Sequence, residues 1–166
     1  MKTIKFLFAA LAMTFAMNAS AQDGHFIADV KLGGTNGGGA FGLGVGYQKP
    51  ITEFEGCTLA WDIINFEYTA PFTSPADFDM LSLKTGLRLF SPSFASDKLR
   101  AYTNLAGGYT MCLAKGFDDK MKVNSAFGLT WGIGLQYKEK FSFGYTLLYE
   151  TWAKSKYHMA TFGYTF

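Results

Sequence analysis

The chain has 166 residues, 49% of them hydrophobic, with 15 Lys and Arg against 13 Asp and Glu. Two of the basic residues, Lys2 and Lys5, fall in the first 21 positions, which hold no acid; residues 22–166 are therefore charge-balanced, and a nucleic-acid-binding role loses its electrostatic support. No run of about 18 apolar residues follows position 21, which excludes a membrane protein built of helices.

The first residues read as an export signal. Lys2 and Lys5 precede an apolar run from Phe6 to Met17, and Ala19-Ser20-Ala21 supplies the small-x-small cleavage site. Cleavage is expected after Ala21, leaving 22–166 as one domain. No Cys stands at position 22, so a lipid anchor is not expected. Cys57 and Cys112 are the only cysteines, without CxxC or metal-ligand spacing, and no metal or cofactor site is expected.

Apolar residues then recur with a period of two, the signature of strands. The first strand is expected over His25–Gly33, with Phe26, Ala28, Val30 and Leu32 on one face and Ile27, Asp29 and Lys31 on the other. A Gly-rich turn at 33–39 leads to a second strand, Ala40–Gln48, where Phe41, Leu43, Val45 and Tyr47 alternate with Gly42, Gly44 and Gly46. Lys49-Pro50 to Phe54 reads as a turn. The third strand, Gly56–Tyr68, changes phase between Trp61 and Phe66, which a β-bulge near Ile63-Ile64 reconciles. Residues 69–79, with Pro71 and Pro75, read as a loop.

The fourth strand, Met80–Phe90, decides what the apolar face is for. Leu81, Leu83, Leu87 and Leu89 share one side with Thr85, while Ser82, Lys84, Gly86 and Arg88 share the other. A Lys or Arg facing lipid at mid-membrane costs about 2–4 kcal/mol, so the cations point inward if the leucines face lipid. After a turn at 91–98, the fifth strand, Leu99–Cys112, places Arg100, Tyr102, Asn104 and Thr110 inward. Residues 113–124 form a charged loop. Two further strands surround the turn Lys138-Glu139-Lys140: Phe127, Leu129, Trp131, Ile133, Leu135 and Tyr137 before it, and Phe141, Phe143, Tyr145, Leu147 and Tyr149 after it, face one way. A loop at 152–156 precedes the last strand, Tyr157–Phe166, in which Ala160, Phe162, Tyr164 and Phe166 face outward.

Eight antiparallel strands, apolar on one face, make an all-β, up-and-down transmembrane β-barrel, closed because an unpaired strand edge finds no water in lipid. The export signal, the eight strands and the ending Tyr164-Thr165-Phe166 resemble the small outer-membrane barrel proteins of Gram-negative bacteria, of the type of the OmpA transmembrane domain, OmpX and the porin-family barrels. That resemblance implies an outer-membrane location among phospholipid and lipopolysaccharide, with both termini and the connections at 48–54, 91–98 and 138–140 on the periplasmic side. It also implies recognition of Tyr164 and Phe166 by the barrel-assembly machinery. The usual Gly five residues from the end is here Thr161. No peptidoglycan-binding domain of the OmpA kind is expected after the last strand.

An eight-stranded barrel is only wide enough for its own side chains. Asp29, Lys31, Lys84, Arg88, Arg100 and Glu150 are therefore expected to form a self-satisfying polar network in the lumen, with Tyr102, Asn104 and Gln136 completing hydrogen bonds, and the glycine walls of the second and sixth strands are the expected place for a residual cavity. The function expected is structural or surface-interacting, with no enzymatic activity. The alternatives are a narrow pore for ions or small solutes, a lipid-A-modifying enzyme using His158 with Glu150 and Ser155, and a soluble lipocalin-like barrel with the faces inverted. Phe72, Asp77, Phe78, Asp79, Phe117, Asp118 and Asp119 in the outer loops could meet an extracellular partner.

Overall fold

The computed structural model describes residues 24–35, 38–71, 78–115, 121–151 and 154–166. The expected signal segment 1–21 and its cleavage site, and the loop residues Phe72, Asp77, Phe117, Asp118 and Asp119, lie outside them. Among the described residues the chain forms eight strands: β1 (His25–Thr35), β2 (Gly38–Phe54), β3 (Cys57–Pro71), β4 (Phe78–Phe90), β5 (Leu99–Lys115), β6 (Met121–Tyr137), β7 (Phe141–Glu150) and β8 (Lys156–Thr165). Each pairs antiparallel with its sequence neighbours, and β8 pairs with β1 to close the barrel. From Val30, the ladder of facing residues reaches Met111 through β2, β3 and β4 but Ala101 through β8, β7 and β6, ten residues apart on β5. That stagger tilts the strands and opens enough width for side chains to meet at the axis.

The faces point as the alternation demands. Leu87, Trp131 and Phe143 are 50%, 41% and 46% exposed on the outer wall, whereas Lys84 and Arg88 are 3% and 8% exposed inside it. An apolar exterior around a polar interior is the arrangement of a transmembrane barrel, and it rules out the inverted lipocalin-like packing, in which the large apolar side chains would line the centre.

Two expected features of the second hairpin fare differently. The bulge is present: Ile63 and Ile64 separate Asp62 from Asn65 on β3, where the single Thr85 separates their partners Gly86 and Lys84 on β4. The turn at 49–54 is not, because β2 continues to Phe54, and the chain reverses at Glu55 and Gly56, whose φ values are 47° and 78°. Pro50, read as a turn signal, sits in the strand. β1 begins opposite Gln48, so beyond that point β2 is an edge among the described residues, the kind of position at which a strand accommodates proline. The strands also reach further than expected at the outer end: β1 runs to Thr35, β3 to Pro71 and β5 to Lys115.

The bulge leaves a backbone group without its ladder partner on a wall that faces lipid, where no water replaces it. Thr85, the one polar residue in the outward phase of β4 between leucines, resolves this. Its hydroxyl donates to the Asp62 carbonyl at 3.0 Å and accepts from Trp61 Nε1 at 2.9 Å.

Candidate functional site

The lumen is stacked in three layers, each set by which inward residues the register brings level. The middle layer is ionic. Asp29 and Lys31 come from β1, Glu67 from β3 and Lys84 from β4, all inward positions of their strands. Lys31 Nζ lies 3.0 Å from Asp29 Oδ1 and 3.0 Å from Glu67 Oε1, and Lys84 Nζ lies 2.9 Å from Glu67 Oε2. Lys84 also donates to Thr130 Oγ1 at 2.8 Å. The result is a chain of alternating charge, acid to base to acid to base, with no net charge. Such pairing is the condition for keeping four ions out of water.

Below it, towards the turns at Glu55-Gly56, 91–98 and 138–140, a second pair crosses from β4 to β3: Arg88 donates to Asp62 Oδ2 from Nη2 at 3.2 Å and from Nε at 3.3 Å. Gln48 Nε2 donates to the other oxygen of Asp62 at 2.8 Å. Ala60, Phe90 and Tyr102 pack together beneath, with the Arg88 guanidinium 5.3 Å from the Tyr102 ring centroid and that of Arg100 4.1 Å from Phe90. Arg100 Nε donates to Gln136 Oε1 at 2.7 Å, and its Nη1 faces the exposed Glu139 at 3.5 Å.

The upper layer is apolar. Ala40, Met80, Cys112, Leu148, Tyr157 and Met159, all near the outer ends of their strands, form one buried cluster with Ala126 against it. Glu150 is fully buried at this level, with its Oε1 accepting from the Ser155 backbone N–H at 3.2 Å and its Oε2 4.0 Å from Cys112 Sγ.

The structure thus brings Asp29, Lys31 and Lys84 into one chain and Arg88 into a neighbouring pair. Arg100 and Gln136 stand together at the lower mouth, Asn104 lines the central cavity, and Tyr102 belongs to the lower aromatic seal. Glu150 is lumenal but separate, one apolar layer above the ion chain. Asp62 and Glu67, both on β3, are the acids that sequence reasoning missed, and they hold the expected cations in place.

The expected position of the cavity is met in part. A Cβ at Gly44 would lie 2.6 Å from Asp29 Oδ1, one at Gly128 2.5 Å from Thr110 Oγ1, and one at Gly132 would fall on Asn104 Oδ1. The space over Gly44, Gly128 and Gly132 is filled by side chains of β1 and β5, while Gly46 of β2 lines a small cavity with Asp62, Asn65 and Arg88. A cavity of about 30 Å³ lies along the ion chain between Asn65, Glu67, Lys84 and Thr130. It has room for one or two waters. The buried Asn65 Oδ1, which meets no donor among the described residues, lines it.

Cys57 starts β3 at the lower end and Cys112 lies near the outer end of β5, and both are free thiols. His158 points outward from β8 while Glu150 points into the lumen, so the wall of the barrel stands between them. The ring of His158 instead meets the Tyr145 hydroxyl through Nδ1. Among the described residues no group of three or more His, Cys, Asp or Glu is arranged to hold a metal ion.

No protein-family model and no curated protein sequence matches this chain. Among solved structures, the chain is similar to the outer-membrane enzyme PagL at a TM-score of 0.62 and 16% identity, over 84% of this chain and 97% of that one. It is similar to the Neisserial surface protein A at 0.63 and 12%, over 87% and 96%. The N-terminal β-barrel domain of Pseudomonas aeruginosa OprF matches at 0.54 and 16%, over 87% and 98%. At these identities the likeness is one of fold, and the fold is that of the small eight-stranded outer-membrane barrels.

Proposed function

We propose that this chain is an integral outer-membrane protein, exported by residues 1–21 and inserted through a last strand ending in Tyr164 and Phe166, whose barrel is a closed scaffold rather than a channel. The observation that carries this reading is the stacked lumen: a neutral ion chain with only about 30 Å³ of space, sealed above by Met80, Leu148, Tyr157 and Met159 and below by Phe90 and Tyr102. A permeating ion would have to separate buried ion pairs and shed its water between two apolar layers, and eight strands leave no second path. What the scaffold presents is its outer end, and we assign the role to surface interaction through the loops after β1, β3, β5 and β7. The separation of His158 from Glu150 by the wall argues against hydrolytic chemistry, which needs nucleophile, base and acid within hydrogen-bond reach.

The test has two parts. Fractionation of expressing cells should recover the protein with outer membranes, with gel mobility that changes on heating. Planar-bilayer recording on the refolded barrel should then give no stable unitary currents; steady unitary conductance would overturn the closed scaffold.

A further inference from the structure

The upper apolar layer holds more than a seal needs. Met80 of β4, Cys112 of β5 and Met159 of β8 are all buried in the one cluster there, so three strands deliver three sulfur side chains to the same end of the lumen. Met80 and Cys112 are direct partners between β4 and β5, and both point inward. Met159 reaches the cluster from the opposite wall, where its partners are Thr146 on β7 and Gly33 on β1, a residue without a side chain. Leucine or isoleucine would fill the same apolar volume. A seal does not ask for a carboxylate either, yet Glu150 is fully buried at this level. Its Oε2 is the acceptor 4.0 Å from Cys112 Sγ, while its Oε1 takes the Ser155 N–H. Holding a carboxylate against a thiol inside an apolar layer costs stability, and sealing gives no reason for it.

We propose that Met80, Cys112 and Met159 form a binding site for a single soft monovalent cation of the copper(I) class. Thioether and thiolate sulfur suits such an ion, whereas calcium and magnesium take oxygen ligands and a structural zinc takes four ligands from Cys, His and carboxylate. Charge selects in the same direction. On binding, the metal–sulfur bond replaces the Cys112 S–H bond, the proton passes to Glu150 Oε2, and no electron is transferred. A monovalent cation and one thiolate are together neutral, so the apolar layer gains no charge; a divalent ion would leave one there.

The experiment refolds residues 22–166 carrying Cys57→Ser, which removes the other thiol, in chloride-free detergent with silver(I) nitrate as a redox-stable soft monovalent probe. Native mass spectrometry counts the ions retained against a competing chelator, and urea titration compares the barrel with and without silver. The expected result is a single silver ion per barrel and a higher urea midpoint, because an ion held by the folded state alone stabilises that state. Cys112→Ser should abolish retention. Met80→Leu/Met159→Leu, which nearly conserves volume, should weaken it about tenfold or more, the loss that even an outer partner of a metal causes. Met111→Leu, beside Cys112 but on the outward face of β5, should leave it unchanged. The site is overturned if the leucine pair holds silver as the parent does, if Met111→Leu loses as much as that pair, or if zinc(II) is retained equally. It is also overturned if silver lowers the urea midpoint, since a thiol that meets the ion only on unfolding would act that way. Heat-modifiable mobility checks separately that each variant folds.

Discussion

Replacing Lys84 with Met tests whether the lumen is held by charge balance rather than by shape. Met keeps most of the volume but removes the ion pair to Glu67 at 2.9 Å and the donor to Thr130 at 2.8 Å, at a position 3% exposed. Removing one member of a buried pair costs about 3–5 kcal/mol, because the partner's charge stays buried. Here Glu67 keeps Lys31 at 3.0 Å, so the lower end, about 3 kcal/mol, applies. The remaining lumenal chain would carry one uncompensated negative charge. Adding Glu67→Gln restores neutrality, leaving Asp29 with Lys31, so the double variant should be more stable than Lys84→Met alone. Urea titration of the barrel folded in lipid vesicles, followed by tryptophan fluorescence and by gel mobility without heating, gives all corners of the cycle. A Lys84→Met cost under about 0.5 kcal/mol, or a double variant as unstable as the sum of the singles, would refute the argument from charge balance.

Thr85→Val should destabilise by about 1–3 kcal/mol despite being nearly isosteric and pointing to lipid, since it strands the Asp62 carbonyl and Trp61 Nε1; the same urea titration reads it, and a neutral or stabilising result would deny the bulge its cap. Gly132→Ala should lower stability because its Cβ falls on Asn104 Oδ1, and Asn104→Ser in the same chain should recover part of the loss. In intact cells and folded barrels, a maleimide reagent should leave Cys112, 0% exposed, unmodified until unfolding, whereas Cys57 should react once the reagent reaches the periplasm; labelling of Cys57 by a reagent confined outside the cell would reverse the assigned orientation.

Much of the architecture was legible because a transmembrane barrel writes its two faces into the chain with period two. Leu81, Leu83, Leu87 and Leu89 against Ser82, Lys84 and Arg88 fix which side of β4 meets lipid, whatever the other strands do. The phase slip between Trp61 and Phe66 likewise located the bulge. The same local rule misled at Pro50, which lies in the strand beyond the point where β1 begins opposite Gln48, a fact about a neighbouring strand.

The site was legible in kind and incomplete in detail. The expected inward set held four cations, Lys31, Lys84, Arg88 and Arg100, against two acids, Asp29 and Glu150. Electroneutrality of a buried interior asks for more acid, and the two acids of β3 within the barrel wall, Asp62 and Glu67, were the available answer. Alternation alone does not reveal them, because the bulge obscures which way that strand's residues point.

Sequence by itself thus determined the strand number, the direction of each face and the polar character of the middle, since these follow from residue types alternating along one chain. Only the closed sheet decided who meets whom: that Glu67 bridges two lysines from different strands, that Asp29, Thr110 and Asn104 fill the space over Gly44, Gly128 and Gly132, and that Met80, Leu148 and Tyr157 converge to seal the outer half. Those meetings depend on the ten-residue stagger around the barrel, which sets the relative heights of distant strands and leaves no mark in any one of them.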